Sequence, residues 1–173
     1  MDASLAALLV GIAGVGGTLS SGYLVQRAAQ EARRLEGERQ HRDNLRDCYI
    51  GLNSRARNCR YALADYLQAM NTDTLTDEIR QNAVAAVKAH RVQYDEAQML
   101  VSDSVLEEAR IVNEKISVLY GLLRRLDGGV TQPDDSGDQA RRLLRDLWAP
   151  LKAMRQTMRV DLGVSRTHQT SGR

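Results

Sequence analysis

His90 and Tyr94 stand four residues apart within an apolar helical pattern, and they are the residues best placed for proton chemistry. A neutral imidazole there could hydrogen-bond a tyrosine or carboxylate from a facing helix, and its ordinary pKa of about 6.5 allows a charge change near neutrality. The expectation is a core histidine satisfied by such a partner. His41, with Glu38 three residues before it, has the Glu-x-x-His spacing of di-iron bundles. That chemistry needs a second such element and two further carboxylates on facing helices. Neither His90 nor His168 has Glu at that spacing, so no metal is expected. Cys48 and Cys59 fall in one predicted helix, roughly 16 Å apart at about 1.5 Å per residue. A disulfide needs Cα atoms within about 7 Å, so both are expected to stay reduced. Gly11 to Gly17 has no preceding strand, no GxGxxG register and no GKS or GKT, which excludes a phosphate loop. Nucleophilic triads, HExxH and aromatic nucleic-acid platforms are also missing. No cofactor, no nucleic-acid partner and no enzymatic activity are expected.

The elements that would hold these residues are helices. Phe is absent, Pro occurs twice, and the 173 residues suffice for one domain and an anchor. The net charge of +2 is too small to imply a polyanionic partner. Leu5 to Val25 is the one long stretch without a charge, and its 21 residues at about 1.5 Å each cover a hydrocarbon core of roughly 30 Å. It predicts a transmembrane helix. Small residues at Ala7, Gly11, Gly14, Thr18 and Ser21 alternate steps of four and three, forming a seam along which a second copy could approach closely. Glycine is also common in membrane helices generally, so self-association and simple anchoring both fit.

Only Asp2 and the terminal amine precede the span, whereas Arg27, Arg33, Arg34, Arg39 and Arg42 follow it. The positive-inside rule then puts the N-terminus outside and the remainder in the cytoplasm. A cleaved secretory signal is the competing reading, although it lacks a basic leading region. Arg27, Arg33 and Arg34 are the candidate contacts with anionic lipid, each contributing about 1 kcal/mol near the surface.

Past the span, residues 26–44 predict a polar helical stalk with Arg27–Glu31, Arg34–Glu38 and Arg39–Asp43 at i,i+4 spacing. Leu45, Tyr49, Leu52, Ala56, Cys59, Leu63, Tyr66 and Met70 then open a packing stripe that ends in Asn71-Thr72-Asp73. Thr74 with Asp77, and Ser104 with Glu107, resemble capping boxes for a second and a third helix. Ser102 to Ser104 could be a turn or a kink, and a turn is favoured. Residues 128–136 read as a loop, Ser136 with Gln139 as the cap of a fourth helix, and Pro150 as a kink within it. The expected fold is therefore all-α: a transmembrane anchor over 1–25, a stalk over 26–44, an up-down-up-down four-helix bundle over 45–162 and a disordered tail over 163–173. That tail is basic enough to touch anionic lipid.

The Gly/Ala-rich span, the Arg/Glu/Gln-rich segment after it and the entry Leu45-Arg46-Asp47-Cys48-Tyr49 together resemble a loose group of small single-span membrane proteins of actinobacteria. The resemblance covers mainly residues 5–70. It implies a bacterial inner membrane and carries over no activity and no functional residue. Two functions remain open. One is a membrane-anchored scaffold that binds a cytoplasmic protein partner and forms a homo-oligomer through its small-residue seam. The alternative is a membrane-perturbing or pore-forming effector, for which a glycine-rich span would be the working part.

Overall fold

The computed structural model describes residues 3–164, with side chains from residue 26 onward apart from residue 28. All of its elements are helices: α1 (Ala3–Asn71), α2 (Asp77–Ala97), α3 (Asp103–Asp127), α4 (Gly137–Asp146) and α5 (Trp148–Asp161). The chain divides into two compact units, Met1–Asn44 and Leu45–Arg173.

In the first unit, residues 29–44 are solvent-exposed helix, as their composition requires. Of the three i,i+4 pairs expected there, Arg34 Nε meets Glu38 Oε1 at 3.3 Å. The pairs Arg27–Glu31 and Arg39–Asp43 do not form among the described residues, and exposed ion pairs are in any case worth less than about 1 kcal/mol. Among the described residues no helix is long and apolar enough to cross a membrane. The side chains of Leu5 to Val25, on which the expected span rests, lie outside the described residues, as does the tail from residue 165.

The second unit is a helical bundle built on the apolar stripes. Tyr49, Leu52, Ala56, Cys59, Leu63 and Tyr66 of α1 are buried, with Leu45 and Met70 packed against them. α3 has the most regular stripe and the most complete burial. Val105, Ala109, Val112, Ile116, Leu119 and Leu123 are each no more than 1 % exposed, and Leu122 joins them. Each such Leu or Ile contributes about 2 kcal/mol of transfer free energy. α3 packs against α2, α4 and α5.

Polar clasps fix the helix directions. Tyr66, late in α1, donates its hydroxyl to Asp127 Oδ2 at 2.7 Å, and Asp127 ends α3, so these two helices run the same way. Arg80, early in α2, donates Nε to Asp127 Oδ2 at 2.9 Å and Nη2 to Oδ1 at 3.1 Å, so α2 runs opposite to α3. Tyr49 donates to Asp161 Oδ2 at 2.5 Å and sets α5 against α1 in the opposite direction.

Helix ends correct the sequence reading at two places. Thr76, not Thr74, caps α2, its Oγ1 accepting from Ile79 N at 3.3 Å. Thr74 belongs to the end of α1: its N–H reaches back to Ala69 O at 3.0 Å, a closure that needs the left-handed backbone of Asp73 (φ 55°). Ser102, not Ser104, occupies the position before α3, and its Oγ pairs with Ser104 Oγ at 3.2 Å instead of capping. Residues 98–102 form a turn. Ser136 does cap α4, accepting from Gln139 N at 3.1 Å. The loop over 128–136 is held by Arg125, which grips Asp135 with two donors at 2.7 and 2.8 Å.

The fourth helix expected over 137–162 is present as α4 and α5 with the expected kink between them: Leu147 keeps helical backbone (φ −72°, ψ −19°), donates to Leu143 O at 3.1 Å and accepts from Leu151 N at 3.3 Å. Pro150 lacks the N–H that would bond Asp146 O, and a proline ring generally crowds the carbonyl four residues back, so the kink falls in the turn before the proline.

Candidate interaction site

Inside the bundle the groups with chemical potential are silenced by burial. His90 is 0 % exposed, and among the described residues neither Nδ1 nor Nε2 has a hydrogen-bond partner, which corrects the expectation of a satisfied core histidine. Burial, helped by the nearby Arg91 charge, pulls its pKa down to about 4, so the ring is neutral at physiological pH. Cys48 and Cys59 are free and buried, and burial raises both thiols, Cys59 to about 12. Such thiols are poor nucleophiles. Burial and the Asp161 carboxylate likewise raise the Tyr49 phenol to about 12. Glu38 and His41 lie on the exposed stretch of α1. Among the described residues no group of three or more His, Cys, Asp or Glu is placed to hold a metal ion.

The surface is different. Along the seam between α1 and α5 runs a groove of 190 Å³, continuing into a smaller pocket of 20 Å³ through the shared residues Asn53 and Arg155. Each wall comes from a second stripe, set beside the packing stripe and again stepping by fours and threes. α1 contributes Arg46, Ile50, Asn53 and Arg57, while α5 contributes Trp148, Lys152, Arg155, Arg159 and Leu162 just past its end. The floor is apolar, from Tyr49, Leu151 and Met158. Five of the lining residues are cationic and none is acidic. Arg46, Lys152 and Arg155 form no ion pair among the described residues.

Two exposed apolar side chains stand in this cationic surround. Ile50 is 54 % exposed and Trp148 is 51 % exposed, large values for residues that normally bury. Trp148 is held in place by Arg60, whose guanidinium carbon lies 5.2 Å from its ring centroid and 5.8 Å from that of Tyr61. The Arg60 Nε is buried without a hydrogen-bond partner, so stacking is what positions this side chain. The same positive surround acts on Tyr61: Arg57 donates to its hydroxyl at 3.2 Å and draws the phenol pKa down.

The residues singled out from sequence lie elsewhere. Arg27, Arg33 and Arg34 are exposed on α1, and Arg34 is engaged by Glu38. The side chains of Ala7, Gly11, Gly14, Thr18 and Ser21 lie outside the described residues. Apolar periodicity alone does not mark the groove. The mixed stripes Arg46-Ile50-Asn53-Arg57 and Trp148-Lys152-Arg155-Arg159 carry the same period and were visible in the sequence. Comparison with protein-family models, curated proteins and solved structures finds no match.

Proposed function

We propose that this chain is a membrane-anchored helical scaffold, in which Leu5 to Val25 forms a single transmembrane helix and leads into an up-down-up-down bundle that binds a partner. The α1–α5 groove carries this reading: a basic, partly apolar surface long enough to seat a polypeptide, on a bundle whose buried His and Cys are chemically quiet. The uncharged N-terminal stretch, the arginines after it and the resemblance to single-span actinobacterial proteins support an inner-membrane location with the bundle in the cytoplasm. The seam from Ala7 to Ser21 supports a homo-oligomer within the bilayer, and Arg27, Arg33 and Arg34 support contact with anionic lipid.

The test has two parts in the native cell. Membrane retention through an alkaline wash examines the anchor. Proximity labelling from a tag after residue 173, comparing the parent chain with Lys152→Glu/Arg155→Glu, examines the groove. The reading expects an integral membrane protein and a labelled partner that the double variant loses. Release by the alkaline wash, or identical labelling by both chains, would count against it. Dye leakage from liposomes that Gly14→Leu abolishes would instead establish the pore-forming alternative.

A further inference from the structure

We propose that the occupant of the α1–α5 groove is an amphipathic helix of a partner protein bearing acidic residues on either side of its apolar face. This inference rests on the scaffold reading and specifies the partner's chemistry. Charge complementarity is the first ground: Arg46, Arg57, Lys152 and Arg155 line the groove and, among the described residues, no carboxylate does, Asp161 being taken up by the Tyr49 hydroxyl. An occupant rich in Glu or Asp meets donors along both walls, and a basic or neutral one leaves them unanswered. Shape is the second. From Trp148 to Leu162 the α5 wall is about 21 Å long at about 1.5 Å per residue, or roughly four turns. A helix of about 14 residues fits that length, with its i, i+4, i+7 side chains opposite the fours and threes of the walls.

The apolar lining decides against a phosphate polymer. Tyr49 and Met158 on the floor, with Ile50 and Leu162 on the walls, offer apolar contact that a sugar-phosphate backbone does not use, while apolar side chains of a helix do. Trp148, half-exposed and backed by the Arg60 guanidinium, provides an aromatic anchor at one end of the groove.

Trp148 is the only tryptophan in the chain, so its emission reports on the groove directly. The full-length protein in phosphatidylcholine vesicles would be titrated with two 15-residue helical peptides lacking Trp and Tyr. Both carry Leu at i, i+4, i+7 and i+11, flanked by Glu in one and by Lys in the other. The expected result is saturable blue-shifted emission with the Glu peptide and none with the Lys peptide. Lys152→Glu/Arg155→Glu should weaken the Glu peptide at least tenfold. Both residues are exposed, and an unchanged circular dichroism melt would show that the variant folds. No response to either peptide, or equal responses to both, overturns the proposal. So does tighter binding of oligouridylate or of phosphatidylglycerol vesicles that the same double variant loses. If the Glu peptide fails while the groove-dependent partner is still labelled in cells, the scaffold reading stands and only the acidic-helix assignment falls. If the peptide binds but no partner is labelled, the reverse holds.

Discussion

Replacing His90 with leucine should uncouple the bundle's stability from mild acid. In the folded chain the ring is fully buried with both nitrogens unpartnered, and it resists protonation until a pH of about 4. In the unfolded chain it takes up a proton below about 6.5. The unfolded state therefore binds more protons between these values, and stability is complete above about pH 6.5 and lost as pH falls toward 4. The full difference is about 3 kcal/mol, of which about 2 kcal/mol is reached by pH 5. Leucine has nearly the volume of histidine and brings no polar atom, so His90→Leu should match or exceed the parent at pH 8, where two unsatisfied nitrogens are removed. Urea unfolding of the full chain, followed by helical circular dichroism at pH 8 and pH 5, gives the difference. With a slope of about 2 kcal/mol/M, the parent midpoint should drop by roughly 1 M more than that of the variant. A gap between the two proteins that is constant with pH would refute the reasoning, because the ring would then have a partner able to hold its proton. Marked destabilisation of His90→Leu at pH 8 would show the same.

Ser136→Ala should cost about 1 kcal/mol through loss of the α4 cap, whereas Ser104→Ala should stay within about 0.5 kcal/mol, both by urea unfolding. Leu123→Ala, at a site with 0 % exposure on α3, should destabilise by about 2–5 kcal/mol in the same assay. Cys59 should react with a thiol reagent only as fast as the bundle opens, so subdenaturing urea should accelerate labelling steeply; rapid labelling in buffer would contradict its burial. Asp127→Asn should lower the thermal midpoint at pH 7 and flatten the acid limb. Arg80 holds that carboxyl below its ordinary value, so its stabilisation is present above about pH 4 and disappears as pH falls through the depressed value.

Packing was the legible part of the sequence, because the stripes of α1 and α3 repeat with the helix period and burial follows period. Caps were less so. In Thr74-Leu75-Thr76-Asp77 two threonines compete, and the choice depends on how the preceding helix closes: Asp73 turns left-handed, Thr74 is drawn back to Ala69, and Thr76 is left to cap. The apolar stripe places His90 inward but does not specify a partner, since its neighbours across the core are set by how the helices face one another, which no local pattern encodes. Pro150 marks a kink in the sequence, and the missing N–H toward Asp146 O places it in the turn around Leu147. The groove escaped because arginines beside apolar residues read as a solvated face until two such faces are brought together. The N-terminal stretch is the reverse case, where composition is the strongest signal and the side chains lie outside the described residues.

The Tyr49–Asp161 clasp joins residues 112 positions apart, whereas α2, α3 and α4 are linked through short loops to neighbours in sequence. Loop closure costs most for the pair farthest apart in sequence, so the α1–α5 seam is expected to close late in folding, which pulsed hydrogen exchange would check. The groove lies on that seam. Whatever occupies it therefore acts as a fastener across the first and last helices of the bundle, and its arrival should slow hydrogen exchange in α5 more than in α3.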